Sequence, residues 1–274
     1  MEVEHTPGSR APVLFLPGGH CTARTPVGQR VYADLGHEVV SVSRPGYGRT
    51  AVGTLSCPEF TPLLRDVADA LEIDRFAAVV GVSFGGLQAV DVAGSDRVAD
   101  RLILHSCAPS RFPFPDTWAE RVGAPVVFGF AEPVAWAAMH RLARSERGLA
   151  LLMKPLSSLP WPEWFERWSP TERSAAREVY LSMRSGRGFR VDLRQAGPGL
   201  AAEREAAQRR VALPALVTFT PNDGSVHRRH AWNFADTIPE ATVVELPAAS
   251  HLFWIGPGRP VVSDAIRRFL ATSD

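Results

Sequence analysis

Val79-Val80-Gly81-Val82-Ser83-Phe84-Gly85-Gly86 sets one serine between glycines, after an apolar strand pattern (Phe76 to Val80) and before a helical one (Leu87 to Ala93). A sharp strand-to-helix turn of this kind lifts a serine Oγ to the C-terminal edge of a sheet, where a nucleophile is exposed. The turn drives the serine backbone toward positive φ. A side chain at position 81 or 85 would meet neighbouring backbone, so glycine suits both. The helix that follows aims its first N–H groups at whatever the serine attacks. Taken alone, the segment is also compatible with an ordinary tight turn.

Outward from the serine, short apolar runs alternate with helical stretches, the pattern of βαβ units and a mostly parallel sheet. Val13–Leu16, Glu38–Ser43, Phe76–Val80, Arg101–Ser106, Ala215–Thr220 and Thr242–Leu246 read as strands. Thr61–Leu71, Phe84–Ala93, Arg228–Thr237 and Pro260–Leu270 read as helices. Leu63, Leu64, Val67, Ala68 and Leu71 recur at three- and four-residue steps, the stripe of a helix packed on a sheet. Helices on both faces would explain why the strands are continuously apolar. The expected fold is α/β, a mostly parallel central sheet flanked by helices on both faces.

The periodicity changes after Ser106. From about Pro109 to Arg209 strand signals nearly vanish, and five tryptophans (Trp118, Trp136, Trp161, Trp164, Trp168) alternate with proline breaks. Val134–Arg144 and Thr171–Met183 read as helices there. The expected organisation is therefore a core of residues 1–108 and 210–274 with an inserted helical segment, 109–209. Only about twelve residues precede the Val13 strand, so the sheet either stops short at that edge or gains a single strand from Met1–His5.

Four further segments, in order, accompany the serine turn: Leu14-Phe15-Leu16-Pro17-Gly18-Gly19, Ser43-Arg44-Pro45-Gly46-Tyr47-Gly48-Arg49-Thr50, Thr220-Pro221-Asn222-Asp223 and Ala249-Ser250-His251. With them the chain resembles the α/β-hydrolase family from about residue 12 to 274. The resemblance implies the α/β-hydrolase fold, with the insert in the place of the family's lid. It also implies a triad of Ser83 as nucleophile, His251 as base and Asp223 as acid. Departures are Pro17 where the family usually carries histidine, and Ser250 where glycine usually precedes the catalytic histidine.

The chemistry requires each partner. A serine hydroxyl needs a base within hydrogen-bond reach, and His251 follows a strand and a turn that would return it over the same sheet edge. The histidine needs a carboxylate to fix its tautomer. Asp223 follows the Ala215–Thr220 strand, although Asn-Asp-Gly is also ordinary turn chemistry. The strand ending at Ser106 offers no carboxylate before Asp116. Phe84 N–H, at the helix start, and Gly19 N–H, in the Pro17-Gly18-Gly19 loop, are the expected oxyanion donors. His20 either helps order that loop or faces the substrate. Arg44 is expected in an internal ion pair.

Thirty basic and 29 acidic residues leave a net charge of +1, which favours neither nucleic acid nor an anionic membrane. The arginines from Arg167 to Arg210, interleaved with acids, read as a solvated helical surface. Arg44–Arg49 lacks the strand–helix context of a nucleotide loop. No set of His, Cys, Asp and Glu has metal-ligand spacing, so neither cofactor nor metal is expected. Cys21, Cys57 and Cys107 read as free thiols of a cytoplasmic protein. No run approaches the roughly 18 apolar residues of a membrane span. The expected partner is a small hydrophobic substrate under an aromatic lid containing Phe112, Phe114, Phe128 and Phe130, and a homodimer stays open. Three activities remain: hydrolysis of an ester, thioester or lactone; hydrolysis of a carbon–carbon bond by the same triad; and ligand binding without turnover.

Overall fold

The computed structural model describes residues 1–95 and 98–271. Its seven strands are β1 (Val3–Thr6), β2 (Arg10–Leu16), β3 (His37–Val42), β4 (Ala78–Val82), β5 (Leu102–His105), β6 (Ala215–Phe219) and β7 (Ala241–Glu245). They form one sheet in the order β1-β3-β2-β4-β5-β6-β7. β1 runs antiparallel to β3, and all other pairs are parallel. Every strand expected from the sequence is present, with slightly shifted ends. At the N-terminal edge the single-strand alternative holds: Val3 pairs with Val42 and Thr6 with Val39.

Both faces of the sheet are covered, which is why its central strands lack alternation. Leu14, Val40, Val79, Leu102 and Val217 pack with Phe60, Leu64, Ala89 and Phe234 on one side. Val13, Phe15, Val39, Val80 and Ile103 pack with Val31, Tyr32, Val262 and Ile266 on the other. The covering helices are α1 (Gln29–Asp34), α2 (Cys57–Ala70), α3 (Gly85–Ala93), α11 (Arg229–Thr237) and α12 (Arg259–Ala271). α2 begins four residues before the expected Thr61, because Ser56 and Glu59 close a capping box around its first turn.

Between β5 and β6 the described chain is helical: α4 (Trp118–Pro125), α5 (Glu132–Ala143), α6 (Glu146–Met153), α7 (Trp161–Trp164), α8 (Pro170–Ser182), α9 (Gly188–Gln195) and α10 (Ala201–Arg209). A wide turn, Val126–Phe130, follows the Pro125 break. Trp164, Phe165 and Trp168 pack with Leu149, Met153 and Tyr180 and against Leu252 and Ile255, so these aromatics hold the insert against the segment between β7 and α12. α10 packs against α3 and α11, within the layer that covers the sheet. Arg204 departs from the expected solvated surface. It is buried, and its guanidinium donates to the carbonyls of Ser110 (2.6 Å), Gln195 (2.8 Å), Gly197 (2.8 Å) and Arg111 (3.1 Å). Flanked by Glu203 and Glu205, the position reads in the sequence as solvated.

Candidate active site

The strand order places the crevice. After β3 the chain crosses β2 to lay β4 on its other side, so the loops leaving β2 and β4 diverge, the usual position of a ligand cleft in parallel sheets. The β4 loop is the serine turn. Ser83 has φ of 51°, in the left-handed region where a non-glycine residue is strained. Its N–H donates to His105 O at 3.1 Å, which fixes the strained residue to the adjacent strand. A Cβ on Gly81 would stand 2.8 Å from Gly86 Cα, and one on Gly85 only 2.0 Å from Leu16 O. The glycines flanking Ser83 are thus required by backbone, as the sequence implies.

The β2 loop, Pro17–His20, lies directly against this turn. A Cβ on Gly18 would be 3.1 Å from Ser83 Cβ, and one on Gly19 would be 2.9 Å from the Phe84 ring. Among the described residues no backbone acceptor takes the N–H of Gly19 or of Phe84. Behind the loop Arg44 Nε donates to Pro17 O at 2.9 Å. The same guanidinium pairs with both carboxylate oxygens of Asp192 in α9 (2.5 and 2.8 Å), and Tyr47 Oη donates to Asp192 Oδ2 at 2.6 Å. Burial alone would weaken the Arg44 charge, but Asp192 outweighs it and holds the guanidinium protonated. The expected ion pair of Arg44 is therefore present, with a partner 148 residues away.

β6 and β7 lead to the other two candidates. His251 Nδ1 and Asp223 Oδ2 are 2.7 Å apart, with side-chain exposures of 12% and 2%. Asp223 Oδ1 accepts the N–H groups of Ser225 (2.8 Å) and Val226 (2.9 Å), so the carboxylate is held from both sides. Burial opposes protonation of His251, but the facing Asp223 outweighs it and raises the imidazole above its ordinary range. The insert clamps both loops: Leu156 O accepts from His251 N (2.8 Å) and Gly224 N (3.2 Å), and Ser157 Oγ donates to Ala249 O (2.5 Å). The structure thus joins His251 to Asp223. Ser83 stands half-buried at the same sheet edge, two strands or roughly 10 Å across from the end of β6. Its hydroxyl makes no hydrogen bond among the described residues; nucleophile–base contacts commonly tighten only around a substrate.

Aromatic rings pack around the serine turn and the Pro17–His20 loop. Phe84 meets Phe114 and Phe189 edge-on at 4.9 and 5.7 Å between centroids. The His20 ring lies 3.9 Å from Phe189, 4.5 Å from Phe128 and 5.3 Å from Trp136. Its Nδ1 shares a 2.8 Å hydrogen bond with Ser185 Oγ, which also accepts Trp136 Nε1–H at 2.8 Å. Burial first, and the Arg44 charge second, lower the His20 pKa to about 3, so its ring is neutral. His20 therefore orders the loop against the insert, one of its two expected roles. Of the other expected lid aromatics, Phe112 packs on the Arg111 and Arg229 guanidiniums (5.2 Å each), and the Phe130 side chain lies outside the described residues. Trp118 is exposed.

A second serine–histidine–aspartate line is a structural decoy. Ser110 Oγ is 3.0 Å from His230 Nδ1, whose Nε2 is 3.2 Å from Asp116 Oδ1. That Nδ1 already accepts the Ser110 backbone N–H (3.1 Å), and both Ser110 and His230 are fully buried. Elsewhere, a depression of about 1000 Å³ lined by Glu4, Arg24, Gln29, Asp34 and Trp254 includes none of the three candidate residues. Among the described residues no group of three or more His, Cys, Asp and Glu could hold a metal ion. Nor is any single described helix long and apolar enough to cross a membrane. The three cysteines are buried and unpaired, and burial pushes Cys21 up to about 12.

The comparisons agree with this architecture. Residues 13–265 match the model of the alpha/beta hydrolase family. YcgS, an uncharacterized hydrolase of Bacillus subtilis (strain 168), is 27% identical over 258 residues, covering 91% of this chain and 87% of that protein. An alpha/beta hydrolase fold protein from Nakamurella multipartita superposes with a TM-score of 0.78 at 21% identity, over 98% of this chain and 94% of the other. An enol-lactonase from Burkholderia xenovorans LB400 gives 0.68 at 19% identity, over 98% and 96%. Identities this low speak for the fold alone. With a family match over nearly its whole length and the sheet, crevice and serine turn in place, the chain belongs to the alpha/beta hydrolase family.

Proposed function

We propose that the chain is a serine hydrolase that cleaves an ester, thioester or lactone of a small hydrophobic molecule. Ser83 attacks the carbonyl carbon while His251 takes its proton. His251 then returns that proton to the leaving group, and a His251-activated water releases the acyl chain from Ser83. Asp223 holds the imidazole with Nδ1–H toward itself and Nε2 free for the serine. The N–H groups of Gly19 and Phe84 receive the developing oxyanion, a role for which one donor supplies about 3–4 kcal/mol. The insert serves as the lid, and the aromatic cluster from His20 to Phe189 gives the site an apolar lining suited to an uncharged acyl or ring-bearing group.

The observation that carries this reading is the 2.7 Å His251–Asp223 pair at the sheet edge that also presents a serine strained to φ of 51°. Turnover of a panel of para-nitrophenyl esters, thioesters, lactones and ring-cleavage diketones tests it, with Ser83→Ala as the blank. Ester or lactone turnover that disappears in Ser83→Ala supports the proposal. Activity confined to diketones would assign carbon–carbon hydrolysis instead, and tight ligand binding without any turnover would assign a binding protein.

A further inference from the structure

Oxyanion donors work only when they are held before the charge develops, and a glycine loop does not hold itself. Pro17-Gly18-Gly19 carries no polar side chain that could fix Gly19 N–H. The brace comes from two other parts of the chain. Arg44, fully buried in the loop after β3, donates Nε–H to Pro17 O at 2.9 Å, two residues before Gly19. Its orientation is set from the far side of the guanidinium, where Asp192 takes both terminal nitrogens and Tyr47 Oη holds one Asp192 oxygen at 2.6 Å. A guanidinium is a planar fork, so fixing its two ends on a carboxylate also fixes the direction of Nε–H.

Asp192 belongs to α9, within the insert, while Pro17 and Arg44 lie in the loops that leave β2 and β3. Their link is reinforced by backbone: Gly188 N donates to Gly46 O at 3.0 Å, and Arg184 N donates to His20 O at 2.8 Å. A Cβ on Gly188 would fall 2.3 Å from the Tyr47 ring, so α9 begins in direct contact with the loop that carries Arg44.

We infer that Asp192 and Arg44 are positioning residues for the Gly19 oxyanion donor, and that the insert sets the catalytic geometry through them in addition to covering the site. Both side chains are buried behind the loop. A buried charge pair of this kind is weak evidence for stability, because apolar replacements of both partners are commonly tolerated. Its value here lies in the third bond, from Nε to Pro17 O.

The inference rests on Ser83 being the nucleophile, so the experiment begins with wild-type turnover of para-nitrophenyl butyrate and inhibition by an arylboronic acid, which mimics the tetrahedral oxyanion. Asp192→Asn should lower kcat by about 10- to 100-fold, the scale of a small misplacement of catalytic groups. KM should stay within about threefold, and boronate affinity should fall in parallel with kcat. The decisive variant is Arg44→Met with Asp192→Leu and Tyr47→Phe, which removes both buried charges and the buried hydroxyl that Asp192 accepts from. A merely structural role predicts that this triple change restores activity along with thermal midpoint; the positioning role predicts a restored midpoint with kcat still low. If either fails to fold, Arg44→Lys decides. It keeps a cation for Asp192 but loses the fork, so kcat should fall at constant KM. Glu146→Gln, which breaks the insert's Arg177–Glu146 bridge far from Arg44, should leave kcat unchanged. An active wild type whose Asp192→Asn or Arg44→Lys variant keeps kcat and boronate affinity would overturn this inference alone; a wild type inert toward esters and boronate would overturn the parent reading and this one with it.

Discussion

Replacing Asp223 by asparagine probes the site through one atom and one charge. Asp223 Oδ1 accepts two backbone N–H groups, from Ser225 (2.8 Å) and Val226 (2.9 Å), while Oδ2 faces His251 Nδ1 at 2.7 Å. In the asparagine variant the amide oxygen must stay on those backbone donors, since an NH2 group there would oppose two N–H groups. The NH2 is then pinned toward His251. Nδ1 becomes an acceptor, the imidazole proton moves to Nε2, and the nitrogen meant for Ser83 can no longer take a proton. The same change in a serine-protease triad costs about 10⁴ in kcat, or about 5.5 kcal/mol at 1.36 kcal/mol per tenfold. A loss of about 10³–10⁴ in kcat follows here. The two backbone bonds survive, so the thermal midpoint should move by only a few degrees.

The pH profile supplies a second readout. The base is the neutral imidazole, so activity falls as pH drops through the His251 pKa. Asp223 holds that pKa above the ordinary value of about 6.5. Without its charge, burial alone acts and lowers it, so the residual activity should persist to lower pH than in the wild type. Para-nitrophenyl ester kinetics from acid to alkaline pH measure both effects. An Asp223→Asn enzyme with more than a tenth of wild-type kcat, or with an unmoved acid limb, would refute the assignment.

Three further outcomes follow from the geometry. Gly85→Ala, whose Cβ would meet Leu16 O at 2.0 Å, should lose about 3 kcal/mol or more of stability in urea unfolding, and a wild-type midpoint would contradict the turn. Ser83→Ala keeps the left-handed strain, whereas Ser83→Gly relieves it. The glycine variant should therefore be more stable by about 0.5–1 kcal/mol, once its entropic cost is set against the strain, and an alanine variant of equal or greater stability would argue against strain at Ser83. His20, partly buried beside the Arg44 charge, and His105, fully buried, are neutral, each lowered to about 3, chiefly by burial. The unfolded chain binds their protons near pH 6.5, so stability should fall by about 1.4 kcal/mol per pH unit per histidine between 6.5 and 3. His251, raised instead, acts only above that window. Urea midpoints at descending pH measure the slope, and a flat profile would contradict it.

Much of this was legible in the sequence because it is written locally. Gly81 answers to Gly86, five residues on, and Gly85 to the end of the neighbouring strand β2, the close approaches a strand–turn–helix pattern implies, while the apolar strands answer to burial on both faces. The sequence also carried a helix-start signal, Ser56 followed three residues later by Glu59, that the apolar stripe alone missed. The partner of Arg44 was not legible. Asp192 lies in Phe-Arg-Val-Asp-Leu-Arg, which reads as any solvated helix, and only tertiary packing turns it inward. Tryptophans behaved similarly: Trp136 packs on His20 of the β2 loop while Trp164 and Trp168 pack on the segment after β7, and composition does not separate the two uses. Leu156 left no sign at all, since its contribution is a backbone carbonyl shared by the acid and base loops.

The most direct test of a hydrolytic nucleophile at Ser83 is intact-protein mass spectrometry after treatment with a fluorophosphonate. The account predicts one phosphonyl group per chain, mapped to Ser83, absent in Ser83→Ala and formed far more slowly in His251→Ala. A folded protein that takes up no label, or takes it on another serine at a rate indifferent to His251, would contradict it.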